Sequence, residues 1–261
     1  MDMCKGWFTM NRPLTSRSAR LMVGVQVVIL GLVWMFADVA FLPKPSGIWD
    51  AFVKLTSEGM ASELATSVLT GMEATFYTII ISLILAYAGT MPFFHTIASL
   101  VSKFRFNGLV GLTLFFTLLT SSSHMLKISL LVFSMVVWFT TSLLAELKAI
   151  PQEEFDHART LGMSEWRVTY EVVILGRLDR VVEVIRQNTA IAWLMLTTVE
   201  GMVRTEGGIG ALLLNQSKYL KLDEVFAIQL TILLLGLFQD WWWGFVRRFC
   251  FPYADIETER R

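Results

Sequence analysis

Residues 74–92 contain no charged side chain, and neither do 106–123 or 128–145; these runs are 19, 18 and 18 residues long. This feature restricts the fold more than any other. A hydrocarbon core of about 30 Å needs roughly 20 apolar residues in a helix. With no water there to bond the backbone, only helices and closed barrels satisfy its polar groups. Three further stretches fit a helical span less cleanly. Residues 21–42 are broken only by Asp38, 181–203 contain Glu183, Arg186 and Glu200, and 225–246 contain Asp240 beside Trp241, Trp242 and Trp243. The expectation is an all-α membrane protein with six transmembrane helices.

Six spans put both termini on one side. Of the 22 Lys and Arg, 16 fall in the N-terminus, around 93–105, in 146–186 and in the C-terminus. The other face receives Lys44, Lys54, Lys127, Arg204, Lys218 and Lys221. The positive-inside rule then makes both termini cytoplasmic. This divides the chain into a cytoplasmic segment 1–20, a six-helix domain 21–246 with a large cytoplasmic loop at about 146–180, and a cytoplasmic tail 247–261. Lys5, Arg12, Arg17 and Arg20 precede an apolar run too long for a signal-peptide core, so the first span reads as a retained helix. The triple Trp reads as an interfacial aromatic belt. The net charge is zero, which gives no reason to expect nucleic acid. Cys4 and Cys250 form no metal-ligand spacing, and a disulfide between them is not expected.

The loop is unlike its surroundings: "PQEEFDHARTLGMSEWRVTYEVVIL", residues 151–175. Pro151 suits a helix start, and Glu153, Glu154 and Asp156 place negative charge in its first turns. Gly162 suits the C′ position, and Ser164 can cap a second helix from near Glu165. Phe155, Ala158 and Leu161 or Gly162 form a narrow apolar stripe at helical spacing. That stripe can lie in a partner's groove, or the segment can be a connector packed under its own bundle.

The segment resembles the cytoplasmic signature of binding-protein-dependent ABC importer permeases, E-A-A, three residues, G, nine residues, I-x-L-P. "DHARTLG" matches at Asp156, Ala158 and Gly162, and Val172, Val173, Ile174 and Leu175 occupy the I-x-L-P place. "LPKPSGIWDAFVKL" (42–55), "TVEGMVRTEGGIGALL" (198–213) and "LDEVFAIQLTILLLGLFQD" (222–240) resemble segments of the permeases for sulfonates, taurine, nitrate and similar solutes. The chain departs from them at Asp156, His157 and Leu175, in the "SSSHMLK" stretch (121–127), and in lacking prolines in the third and fourth spans. Leu175 in place of Pro removes a helix breaker, so the second helix is expected to run straighter into the fifth span.

The resemblance implies a type I ABC importer permease. Residues Glu153, Glu154, Phe155, Asp156, Ala158, Arg159, Leu161 and Gly162 would then form a coupling helix against a cytoplasmic ATPase. The implied partners are a second permease subunit (a homodimer by default, a heterodimer otherwise), two ATPases and an extracytoplasmic solute-binding protein, in a bacterial inner membrane. No Walker A motif, nucleophile triad or metal spacing is found, so the chain reads as a non-enzyme without a cofactor of its own; ATP-Mg belongs to the ATPase. Readings from other classes are a stand-alone secondary transporter or channel, and a membrane protein recruiting a cytoplasmic partner.

Asn188, Trp193, Thr197 and Glu200 on the fifth span are the candidate pathway residues. Glu200 is expected to be an interfacial carboxylate reaching the outer water, with a functional intramembrane role as the alternative. Asn and Thr also bond helices together in membranes, and Glu183 and Arg186 are spaced to pair. Glu73 either continues a helix begun near Glu63 or sits in headgroups. His124 reads as a loop residue with no carboxylate neighbour, in a short outer turn that also holds Lys127. The GGIG at 207–210 is expected to break a helix, not to bind phosphate.

Overall fold

In the computed structural model, residues 16–36 and 43–252 are described. They hold eleven helices and no strand. Four helices are long and apolar enough to cross a membrane: α1 (Ser16–Phe36), α3 (Met60–Ala88), α6 (Ser123–Lys148) and α11 (Leu222–Cys250). The chain is an all-α, multi-pass membrane protein. Cys4, Lys5, Arg12, Asp38 and most of the tail lie outside the described residues; Cys250 is exposed.

The α3 helix starts fourteen residues before the expected span. It is continuous through Glu63 and Glu73, with 29 residues and a length of about 43 Å. Its first turns therefore stand beyond the hydrocarbon core, where carboxylates are tolerated. Its buried side is a ladder of small residues: Ser67, Thr70, Ala74, Thr78, Ser82 and Ala86. Small side chains let helix backbones approach closely in lipid. Ser82 Oγ donates to the Val136 carbonyl of α6 at 3.5 Å.

The expected third span, 106–123, is not one helix. Residues 93–105, expected as a loop, belong mostly to α4 (Pro92–Lys103), which runs into a 3₁₀ turn at Phe104–Phe106. Asn107 and Gly108 are extended, and α5 (Leu109–Leu119) follows with 11 residues, about 16 Å long. Thr120 is extended again, and Ser122 caps α6 by accepting from the Met125 amide. Sequence apolarity continued across both breaks; the backbone did not. The fifth element, α9 (Leu178–Met202), has 25 residues. Its charged residues keep it outside the group of apolar spanning helices.

The core has two parts. Leu130, Leu131, Met135 and Phe139 of α6 pack with Val184, Ile185, Leu196 and Val199 of α9 and with Ala74 and Ala86 of α3. At one end, the amphipathic α2 (Pro45–Ser57) packs through Ile48, Ala51 and Leu55 against Ile209, Ala227 and Ile228. Ile209 opens α10 (Ile209–Lys218), so α2 and α10 cover the same end of the bundle. The α1 helix buries little, although its Trp34 indole donates to the Pro43 carbonyl at 3.1 Å. Of the three tryptophans, Trp241 and Trp242 are exposed as an interfacial belt requires, but Trp243 packs on the core.

Candidate functional site

Two assemblies stand out, one at each end of the bundle. At the α2/α10 end lies a buried charge node. Glu200 and Lys127 are both 0% exposed, with Lys127 Nζ 3.0 Å from Glu200 Oε1. Glu200 is thus not the interfacial carboxylate expected from its position near the end of α9. Lys127 lies in α6, a full turn inside its start, and not in an outer loop. A buried ion needs a partner and further hydrogen bonds to offset its desolvation. Here the remaining capacity is met by the backbone of the glycine segment. Lys127 Nζ donates to the Gly207 carbonyl at 3.2 Å, and Gly210 N donates to Glu200 Oε2 at 2.9 Å. The Ser67 hydroxyl donates to the Glu200 carboxylate at 2.8 Å and accepts from Ile209 N at 2.7 Å. Gly208 N donates to Glu63.

Three consecutive amides at the start of α10 are therefore capped by side chains of α3 and α9. The acidic caps also sit at the positive end of the α10 dipole. Gly207 and Gly208 take φ values of +67° and +111°, a conformation that essentially only glycine adopts. A Cβ on Gly208 would overlap the Glu200 carboxylate, and one on Gly210 would overlap the Thr197 backbone. The GGIG segment is thus a tight turn pinned by α3, α6 and α9. Lys127, Ser67 and Glu63 were absent from the sequence-based site residues. Of the three only Lys127 carried a signal: a lone Lys opening the apolar run 128–145 needs a partner among membrane helices.

His124, in the first turn of α6, has a carboxylate neighbour after all, with Nε2 at 3.4 Å from Glu73. Of the other candidate pathway residues, Thr197 lies one turn from Glu200 with its backbone against Gly210, and Asn188 and Trp193 lie further along α9, away from the node. Asn188 is buried, donates to the Val184 carbonyl at 2.8 Å and accepts from Ser142 at 3.5 Å. The Trp193 indole donates to Gln239 Oε1 of α11 at 2.6 Å, and Thr197 donates back to the Trp193 and Leu194 carbonyls at 3.1 Å. From Asn188 to Glu200 is about 18 Å along the helix. Of these bonds, Ser142–Asn188 ties α6 to α9 and Trp193–Gln239 ties α9 to α11, while the others lie within α9. Nearer the other end, Glu183 accepts from Arg186 at 2.8 Å and from Arg247 at 3.2 Å, while Arg186 also reaches Asp240 at 3.2 Å. The expected Glu183–Arg186 pair is thus one edge of a four-residue network joining α9 and α11.

The second assembly is the segment after α6. It forms α7 (Gln152–Thr160) with Pro151 as its N-cap and Glu153 and Glu154 in its first turn. Gly162 takes φ +76°. Its amide donates to the Arg159 carbonyl at 2.9 Å, and that of Met163 donates to Ala158 at 3.4 Å. This pair of bonds is the Schellman closure expected of a C′ glycine. Arg159 bonds Asp156 at 2.9 Å and Glu165 at 2.9 Å, and Arg177 reaches back to Glu154 at 2.6 Å. The stripe faces inward, with Ala158 buried and Phe155 half-buried; Leu161 is exposed, as is Trp166 of α8 (Glu165–Val168). The expected straight run into the fifth span is absent. A π turn at Thr169–Ile174 and a 3₁₀ turn at Leu175–Arg177 separate α8 from α9. Without a proline, the chain still breaks its helical register, at Gly176 and Arg177 (φ −122°).

The hydrogen bonds from Arg159 hold Glu165 below its ordinary value of 4.5. The bridge therefore contributes fully above that value and is lost as pH falls through the lower, folded-state one. The protection of the Gly162 and Met163 amides, their exchange corrected for its intrinsic pH dependence, is expected to stay constant from neutral pH down to the ordinary carboxylate range and to fall only below it. Loss of protection already at mildly acidic pH would show that the bridge does not hold the turn.

No protein-family model matches the chain, and no curated protein matches it. The class defined by fold and site is that of an all-α multi-pass membrane protein with a buried ion pair at one end and a glycine-closed surface helix at the other.

Proposed function

We propose that the chain is the permease subunit of an ATP-binding-cassette importer, in which α7 couples to a cytoplasmic ATPase. One observation carries the reading. After α6, a short helix with acidic first turn, a Schellman glycine and a short second helix stand outside the long apolar helices. The resemblance to the permease signature falls on this segment. Its exposed side carries Glu153, Asp156, His157 and Leu161, a mixed surface suited to a protein groove. Its inner side, through Phe155, Ala158 and the Arg177–Glu154 bridge, transmits force to the bundle.

In this reading the broken α4–α5 unit and α9 complete six passes. The α7 end and both termini are cytoplasmic, and the membrane is a bacterial inner membrane. Two permeases, two ATPases and a solute-binding protein assemble, and the solute is of the sulfonate, taurine or nitrate type. The charged α9 faces the shared axis, because lipid is a poor solvent for it. A stand-alone transporter is the second reading, favoured by the fully buried Lys127–Glu200 pair, since ionisable groups buried among membrane helices mark ion pathways in transporters.

Co-purification with an ATPase distinguishes the two, since only the first requires it. Within such a complex, Gly162→Val is expected to cost about 1–2 kcal/mol locally, through the left-handed backbone alone, because nothing lies within 4 Å of its Cβ position. The protein should reach the membrane yet uncouple ATP hydrolysis from transport. Normal coupled transport in that variant would remove the role assigned to α7.

A further inference from the structure

We propose that the cavity between α7–α8 and the bundle is a binding site for one anionic phospholipid. The cavity has a volume of about 840 Å³, within the range of small-molecule sites. Its position argues for lipid. It is bounded by the last turns of α3 and α6, two membrane-crossing helices that end at Ala88 and Lys148, so it lies at headgroup depth. Its deep wall is apolar: Leu144 and Val173 are buried, and Leu147 and Ile174 are half-buried.

The charge at the rim selects the headgroup. Arg159 and Glu165 both line the cavity but bond each other. Lys148 and His95, also lining and exposed, have no ion pair or side-chain hydrogen bond among the described residues. An unpaired ammonium and an imidazole above an apolar slot match a phosphodiester with an acyl chain below it, as basic pockets between membrane helices do. A lipid seated there would touch Phe155 of α7, so its presence would stiffen the link between the surface helix and the bundle. The proposal requires only that α3 and α6 cross the bilayer and does not depend on the transport reading.

The test is native mass spectrometry of the full chain extracted in neutral detergent and exposed to equal parts of phosphatidylglycerol and phosphatidylcholine. One phosphatidylglycerol should be retained in preference. Reversing the charge, Lys148→Glu, should weaken that retention about tenfold or more, and the matched Lys103→Glu, outside the cavity, should not. Thr90→Trp, which fills the rim without changing charge, should also displace the lipid. Equal retention of the two lipids, or unchanged retention in Lys148→Glu, would overturn the site. Displacement by inorganic phosphate alone would overturn the lipid assignment in favour of a free-anion site.

Discussion

Lys127→Met is expected to lower the unfolding free energy by about 3–5 kcal/mol, because it leaves a fully buried carboxylate without its counter-charge. The loss comes from what remains, not from the bond removed. Glu200 would keep Ser67 and the Gly210 amide, but not the ammonium. The Gly207 carbonyl would lose its donor as well. The double variant Lys127→Met/Glu200→Gln removes both charges and keeps an acceptor for the Gly210 amide. It should recover a large part of the loss, giving a coupling energy of the sign that linked neighbours show. Reversible unfolding in mixed micelles, followed by tryptophan fluorescence, measures all four corners of the cycle. If the double variant is as damaged as the two singles added, the pair does not act as a unit.

Gly208→Ala is expected to cost about 3–5 kcal/mol, the sum of a glycine-only backbone and an overpacked site. At φ +111° an L-residue is strained whatever the space around it, and here the added methyl meets the Glu200 carboxylate. Pushing Glu200 aside would break the ion pair and release α10 from α3 and α9 together. Gly162→Ala makes a useful contrast. It shares a positive φ but faces open space, so only the backbone term applies. The same unfolding assay should rank Gly208→Ala well below Gly162→Ala in stability. Equal losses at the two glycines would mean that the Glu200 contact carries nothing.

If both expectations hold, the α2/α10 end is a rigid assembly. Four elements are tied there through two carboxylates, one ammonium, one hydroxyl and three backbone amides. The α7 end differs. Its bridges Arg159–Asp156, Arg159–Glu165 and Arg177–Glu154 are exposed or half-exposed, and such pairs are worth little each. A π turn and a 3₁₀ turn lie between α8 and α9. A chain built this way would hold its α2/α10 end fixed, with its surface helix the more easily displaced of the two.

Several features were legible in the sequence alone, for local reasons. Long apolar runs in lipid leave helix as the open-chain solution, so α3 and α6, from uncharged runs, and α11, from a run with Asp240 near its end, were anticipated, as was their membrane character. Gly162 as a helix stop followed from the glycine's own backbone freedom and from the acidic start ten residues before it. The Glu183–Arg186 pair followed from its spacing.

The rest needed the tertiary structure. Apolarity does not encode where a backbone turns extended, so Asn107, Gly108 and Thr120 broke an expected span. Hydrophobic counting also could not see that α3 continues through Glu63 and Glu73 beyond the core. The node was illegible because its members lie far apart in the chain. Ser67, Lys127, Glu200 and Gly210 come from four different segments, and only the packing of α3 against α6 and α9 brings Ser67, Lys127 and the Gly210 amide to the one Glu200 carboxylate. Glu200 alone looks like a residue reaching for water. With Lys127, the Ser67 hydroxyl and the Gly210 amide all brought to its carboxylate, burial becomes the lower-energy choice.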